Sequence, residues 1–180
     1  MCKLKSGIIL KDDVFVPDYD GHTEMLEELK IADTRENAER LFVRAELYPE
    51  DGDIFSDVDS WTFNVDQDIT PDWFVADYEK TRMVAAVKEW AKNHIFVDIE
   101  DLSISISGSE SATLYLKDCK NANIDTRGSS TAIAQESNLT RDCFILMENS
   151  TLKDCRTKTI YQSGDWTLVA VAPKEGKLNE

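Results

Sequence analysis

Histidine and glycine are scarce in this sequence of 180 residues, which contains two histidines and seven glycines. His22 and His94 lie far from any cysteine pair with the ligand spacing of a zinc site. No GxSxG, HExxH, Walker A or GxGxxG motif occurs, so the patterns typical of hydrolases, zinc proteases and nucleotide-binding enzymes are missing. We therefore expect a protein that is not an enzyme and that needs no metal and no cofactor.

Long apolar runs are also missing, because no stretch reaches the roughly 18 apolar residues of a membrane-spanning helix. The apolar stretch Ile8–Leu10 near the N-terminus is too short for the core of a signal peptide. We therefore expect a cytoplasmic protein without a membrane partner. The cysteines Cys2, Cys119, Cys143 and Cys155 are then expected to be free thiols, since cytosolic proteins keep their thiols reduced.

Positive charge is missing where negative charge is densest. The formal net charge is −15, and residues 1–110 contain 26 acidic and 11 basic side chains, whereas residues 111–180 contain nine of each. Within the first part, residues 46–79 hold eleven acids and no lysine or arginine. A field of this kind repels nucleic acid and attracts basic surfaces.

Eight of these acids form the predicted partner-binding surface. They are interleaved with aromatic residues, a combination that suits docking on a surface rich in arginine and lysine. The alternative is an ordinary solvated face. Asp51-Gly52-Asp53 also offers oxygen ligands to a cation, but its spacing departs from the EF-hand loop. The eight residues are Glu50, Asp51, Asp53, Asp57, Asp59, Asp66, Asp68 and Asp72.

Apolar spacing in the first half of the chain predicts a small sheet with amphipathic helices. Met83, Val84 and Val87 lie on one face of a predicted helix over residues 77–94, which is expected to pack on that sheet. The other expected elements are a hairpin over residues 7–17, a helix over 22–31 capped by Thr23, a second helical turn over 33–40, and strands over 41–48 and 61–65.

From residue 98 the texture changes to short alternating runs, of which the strictest covers residues 99–107. A phrase that ends in Asp-Cys occurs at Cys119, Cys143 and Cys155, which are 24 and 12 residues apart. A fixed period of 12 predicts a β-solenoid-like stack or stacked hairpins, with the three cysteines pointing inward in the same orientation. An ordinary antiparallel sheet is the alternative. The run over 166–171 is expected to close the stack.

The expected fold class is therefore α+β. An acidic α+β domain over residues 1–97 precedes a β-repeat domain over 98–172 and a polar tail over 173–180. Direct nucleic-acid binding is expected only through the repeat part. There, register between repeats would align Lys117, Arg141 and Lys153 into a basic stripe. The alternative for these cations is a set of solvated faces that balance neighbouring acids.

Several blocks of the first half resemble a family of proteins from phages and prophages of gut Firmicutes. Members of that family carry a variable number of C-terminal Lys-Asp-Cys and Ser-Thr repeats, and the repeat tract here is similar. The resemblance covers most of residues 4–95. Its blocks are Leu4–Asp12, Val14–Asp20, His22–Leu29, Phe42–Leu47, Phe63–Asp68 and Pro71–Phe74.

Small acidic phage proteins without enzymatic motifs resemble anti-CRISPR proteins, several of which block the cationic channels of effector nucleases. The resemblance implies a DNA mimic in the cytoplasm of the bacterial host. Such a protein would bind a type II CRISPR effector nuclease, as a protein or as its guide RNA complex, and block DNA recognition or cleavage. The alternative is a structural or adhesive module that binds proteins through the β-repeat surface. An enzyme would instead require a deep pocket with convergent polar groups.

Overall fold

The chain divides into two compact units, Met1–Lys92 and Asn93–Glu180, where the sequence analysis placed the change between residues 97 and 98. Helices and a sheet form the first unit, and two sheets of short strands form the second, which confirms the expected α+β class. The computed structural model describes residues 5–105, 113–125, 143–155 and 158–171.

The first unit contains a four-stranded antiparallel sheet with the strand order β2-β1-β3-β4. The predicted hairpin is confirmed, and its turn is closed by a 2.8 Å hydrogen bond from Leu10 N to Asp13 O. From Val43 to Tyr48, burial alternates along β3, so one face of the sheet is apolar. The strands are β1 Lys5–Leu10, β2 Val14–Phe15, β3 Phe42–Tyr48 and β4 Thr62–Val65.

Three helices accompany this sheet: α1 His22–Glu28, α2 Arg35–Ala38 and α3 Ala76–His94. The Thr34 side chain caps α2 by accepting a 3.2 Å hydrogen bond from Asn37 N. The predicted cap of α1 by Thr23 is wrong, because α1 begins one residue earlier. Its N-cap is then Gly21, which has no side chain to accept the bond.

Helix α3 packs on the sheet, as its apolar spacing predicted. Met83 is fully buried, and a Cβ on Gly7 of β1 would lie 3.0 Å from Met83 Cε. Glycine therefore lets the helix approach the strand closely. Arg82 donates to Leu10 O at 3.1 Å and pairs with the buried Glu79 at 2.8 Å, so a buried ion pair also fixes the helix to the hairpin.

Lys5 is a buried cation in this unit, with 2% of its surface exposed. Its Nζ donates to Asp20 Oδ1 at 2.8 Å and lies 4.9 Å from the centre of the Trp90 ring. Burial lowers the pKa of Lys5, because desolvation penalises the charged form more than the neighbouring Asp20 and Asp18 favour it. The ion pair and the ring contact thus compensate only part of the cost of burying this charge.

The second unit is a stack of three parallel rungs, each of which contributes one strand to each of two sheets. The sheet orders are β12-β9-β7-β5 and β11-β10-β8-β6. The last two strands run antiparallel to their neighbours, and β12 confirms the predicted closing strand. The strands are β5 Ile95–Val97, β6 Ser103–Ser105, β7 Thr113–Lys117, β8 Ala122–Asp125, β9 Cys143–Glu148, β10 Thr151–Asp154, β11 Ile160–Gln162 and β12 Thr167–Val171.

Parallel pairing confirms the solenoid-like alternative, but the predicted period of 12 is wrong. Ile95 of β5 aligns with Tyr115 of β7, 20 residues later, and Tyr115 aligns with Leu146 of β9, 31 residues later. A core of small apolar side chains, which includes Leu114, Leu116 and Ile145, lies between the rungs. The rungs are therefore set by this core and not by the spacing of the cysteines.

Aspartate and asparagine shape the corners between the strands. Asp98, Asp118 and Asn149 end β5, β7 and β9 with φ values of 53°, 54° and 45°. The corners stack through backbone bonds, with Asp98 N donating to Lys117 O at 2.9 Å and Asp118 N donating to Glu148 O at 3.0 Å. Asp and Asn tolerate this left-handed conformation better than other side-chain-bearing residues, so they mark where each rung bends.

The strand predicted over residues 99–107 is wrong in its first half. Residues 99–102 form a corner in which Asp101 has a φ of 59°, and β6 covers only Ser103–Ser105. Residues 106 and 107 lie outside the described ranges. The alternation of apolar and polar residues continued through the corner because a corner residue, Ile99, packs on the same core as Ile104 of the strand.

The shared phrase does not give the cysteines a shared orientation. Cys119 is fully buried at a corner, where its backbone N donates to Ser150 Oγ at 2.9 Å. Cys155 is half-buried after β10, and the Asp154 that precedes it is buried. Both thiols are free. The Cys143 side chain and Cys2 lie outside what the structure describes.

The predicted basic stripe does not form between Lys117 and Lys153. Lys117 lies on β7 in one sheet, and Lys153 lies on β10 in the other. Lys117 Nζ is 3.5 Å from Glu148 Oε1, which favours the alternative that these cations balance neighbouring acids. Arg141 lies outside the described residues.

The corner geometry makes a prediction for Asn121, which has a φ of 53°. Asn121→Val should lower the free energy of unfolding by about 1–2 kcal/mol, because a β-branched residue is strained in the left-handed region. Asn121→Gly should stay within about 1 kcal/mol of the wild type. Urea unfolding measures both, and equal stability of the valine and glycine variants would contradict the corner.

Burial predicts different reactivity for two thiols. A thiol-reactive reagent should modify Cys155 faster than Cys119 in the native protein, since Cys119 is fully buried and Cys155 is half-buried. Peptide mapping by mass spectrometry resolves the two sites, and the same reaction in urea gives the unhindered rate as the control. Faster modification of Cys119 in the native protein would contradict its place in the core.

Candidate functional site

All eight predicted partner-binding acids are exposed in the first unit. They fall into two groups, because β4 separates them. We call Glu50, Asp51, Asp53, Asp57 and Asp59 the loop patch, since they lie in the connection from β3 to β4. We call Asp66, Asp68 and Asp72 the strand-end patch, since they follow the end of β4.

The aspartates of the loop patch build the turns that carry them. Asp51 Oδ1 accepts from Asp53 N at 2.9 Å, and Asp53 Oδ1 accepts from Phe55 N at 3.0 Å. Asp57 Oδ1 accepts from Asp59 N at 3.0 Å and caps the short 3-10 helix Val58–Ser60. Each carboxylate replaces a backbone partner within its own turn and still faces water. Asparagine can make the same bonds without the charge.

Apolar residues between these turns anchor the loop. Ile54, Val58 and Trp61 are buried, with 6%, 8% and 1% of their surfaces exposed. Trp61 Nε1 also donates to Ser56 Oγ at 3.0 Å. The loop therefore turns its apolar side chains inward, and the acids between them remain outside.

The strand-end patch is positioned by Gln67. Its Oε1 accepts from Arg44 N at 2.9 Å, and its Nε2 donates to Phe42 O at 3.3 Å, so Gln67 is held against β3. Asp66 and Asp68 on either side of it are exposed. Asp72 lies in a turn beside Trp73, whose Nε1 donates to Arg40 O at 2.9 Å.

The two patches lie at opposite ends of β4, which is the edge strand of its sheet. Glu50 Oε1 accepts from Thr62 Oγ1 at 2.9 Å at the start of β4, and Asp66 follows the last residue of the strand. At roughly 3.3 Å per residue, the four steps from Thr62 to Asp66 span about 13 Å. Midway along the strand, Asn64 donates to Glu46 of β3 at 3.1 Å.

Tertiary structure supplies cations that the acidic stretch lacks. Lys88 of α3 pairs with Asp59 at 2.5 Å, and the hydrogen bond to Asp59 raises the pKa of Lys88. His22 Nδ1 lies 3.2 Å from Asp66 Oδ2. The absence of nearby basic residues, which holds along the sequence, is therefore wrong in space for these two acids.

His22 and Arg44 are residues that sequence reasoning did not assign to the site. Two open grooves meet at Arg44 and Asp66, and His22, Glu24 and Asp33 line one of them. Arg44 forms an ion pair with Asp33. No sequence signal connects these residues, because strand pairing and the position of α1 bring them together.

The His22 ring is used for structure. Its Nε2 lies 3.2 Å from Ala45 O, and its Nδ1 faces the Asp66 carboxylate, so both ring nitrogens face acceptors. Only the protonated ring donates to both. Neither nitrogen is then available to take a proton from a substrate, so this His-Asp pair does not have the arrangement of a general base.

Two further searches concern metal and membrane. Within the described ranges, no group of three or more His, Cys, Asp or Glu side chains is arranged to hold a metal ion. In the same part of the chain, no helix is both long enough and apolar enough to cross a membrane. The carboxylates of the loop patch are too widely turned outward to converge on one point.

Comparison of the chain with protein-family models, with curated proteins and with solved structures finds no match. The candidate site therefore rests on its own geometry. Its features are two exposed acidic patches, an edge strand between them, and few compensating cations.

The pair formed by Lys88 and Asp59 makes a prediction. Asp59→Asn should lower the pKa of Lys88 towards its ordinary value, because the hydrogen bond that favours the protonated amine loses its charged acceptor. An NMR titration of the lysine Cε and Nζ resonances measures the shift. Asp53→Asn removes one charge from the same loop and serves as the control. An unchanged Lys88 titration in Asp59→Asn would show that the pair does not persist in solution.

Proposed function

We propose that the first unit binds a basic protein or ribonucleoprotein through the loop patch and the strand-end patch, and that it acts by binding and not by catalysis. The observation that carries the proposal is the exposure of all eight acids, of which only Asp59 and Asp66 have a basic side chain named as a partner. Uncompensated carboxylates on one unit repel each other, and a cationic partner relieves that repulsion.

The geometry supports a partner with an extended cationic surface. The patches are about 13 Å apart along β4, which exceeds the Debye length of about 10 Å at 0.1 M salt. Each patch therefore acts largely on its own at physiological salt. A partner that engages both needs positive charge along a groove or channel, and a single lysine or arginine would not be enough.

A type II CRISPR effector nuclease is the candidate partner, in agreement with the resemblance to anti-CRISPR proteins. Such an enzyme holds its guide and target strands in a positively charged channel and reads a short flanking motif with arginines. Carboxylates on rigid turns would occupy the places of DNA phosphates in that channel. The protein would then block DNA recognition or cleavage as a DNA mimic.

Electrostatic attraction of this type acts mainly on the rate of association. Glu50→Gln combined with Asn at positions 51, 53, 57 and 59 should slow association by about tenfold or more at low salt. The fold should be kept, because asparagine retains the oxygen that accepts each turn bond. Stopped-flow association with a purified type II nuclease, with and without guide RNA, measures the rate as a function of salt.

A matched control removes five charges elsewhere, so that both variants change the formal net charge from −15 to −10. The control should associate at close to the wild-type rate, because distant charges contribute less than those at the contact. Equal rates for both variants, together with no dependence on salt, would contradict the proposal and favour the alternative binding module of the repeat surface. The control substitutions are Asp12→Asn, Glu27→Gln, Glu36→Gln, Glu39→Gln and Glu89→Gln, all at exposed positions.

A further inference from the structure

The last two strands, β11 and β12, form one end of the parallel stack. β11 pairs with β10 and β12 pairs with β9, and each is the outermost strand of its sheet. In the part of the chain that the structure describes, no strand pairs with the outer edge of either. The backbone N–H and C=O groups that point outward from such an edge can pair with another strand.

This end lacks the usual protection of an edge. Neither β11 nor β12 contains a charged residue or a proline, the features by which soluble proteins discourage edge pairing. The polar outer face expected of a capping repeat is also missing. Ile160, Trp166 and Leu168 instead have 65%, 51% and 52% of their surfaces exposed.

The opposite end of the stack differs in charge. Its outermost strands are β5 and β6, and the corner between them carries Asp98, Glu100 and Asp101, all exposed. In a symmetric pair these carboxylates would meet their own copies and repel. The connection from β11 to β12 contains only one acid, Asp165.

We propose that the β11–β12 end is an interface for a second copy of this chain, with the end strands paired antiparallel about a two-fold axis. Antiparallel pairing is self-complementary under that symmetry, so one surface serves both partners. Charge selects the end, because residues 1–110 carry the whole net charge of −15 and repel another copy, whereas residues 111–180 are neutral.

Leu168 is the side chain that the pairing would cover. It aligns with Leu146, and this row continues through Tyr115 to Ile95 on the same face of the sheet. Across the interface, Leu168 would become a neighbour of apolar residues on the second β12. The contact is small by the standard of obligate dimers, so the dimer should form reversibly with concentration. It does not depend on the acidic patches.

Sedimentation velocity over a range of protein concentrations tests this interface. The wild type should change from monomer to dimer as its concentration rises. Leu168→Lys should weaken the dimer by about tenfold or more, since it places two like charges across the paired strands. Val97→Lys adds the same charge to an exposed position, 44% accessible, on β5 at the other end, and it should dimerise like the wild type.

Hydrogen exchange gives a second reading that does not need a variant. Amides of β12 should exchange more slowly in wild-type protein at high concentration than at low concentration, while amides of β5 should not change. A wild type that remains monomeric at every attainable concentration overturns the proposal. So does a dimer that Leu168→Lys leaves intact, or one that Val97→Lys weakens equally. Circular dichroism verifies that both variants are folded.

Discussion

The antiparallel pairing of β3 with β4 is the constraint on which the acidic surface depends. Its register places Tyr48 opposite Thr62 and Ala45 opposite Val65, so the connecting loop leaves one end of the pair and Asp66 emerges at the other. A continuous acidic stretch in the sequence thereby becomes two patches on either side of an edge strand. The same pairing brings Arg44 and His22 next to Asp66, because Arg44 lies on β3 and the His22 ring reaches Ala45 O.

Carboxylates serve two purposes in the loop patch, and both follow from their chemistry. A short side chain with two acceptor oxygens can bond to a backbone N–H two residues ahead with one oxygen and leave the other in water. Asp51, Asp53 and Asp57 all do so. The turns therefore hold charge in fixed positions at little cost in side-chain entropy, which suits a surface that must match cations on a partner.

The second unit solves a different problem with the same residue types. Its rungs are only three to six residues wide in each strand, and each bends through a corner where φ is positive. Asp98, Asp118 and Asn149 occupy equivalent corners, and backbone hydrogen bonds join the corners from rung to rung. Stacking buries an apolar core that no single rung could enclose. The antiparallel strands β11 and β12 end this stack without a charged cover.

Local patterns in the sequence determined the hairpin, helix α3, strands β3 and β4, the α+β class and the exposure of the acids, since each depends on neighbouring residues alone. Long-range pairing decided the rest. The 20-residue and 31-residue rungs depend on which strands share a core, so the Asp-Cys phrase misled both the period and the cysteine orientation. The partners of Asp59 and Asp66 are Lys88 and His22, which are 29 and 44 residues away, and only the folded chain brings them within bonding distance.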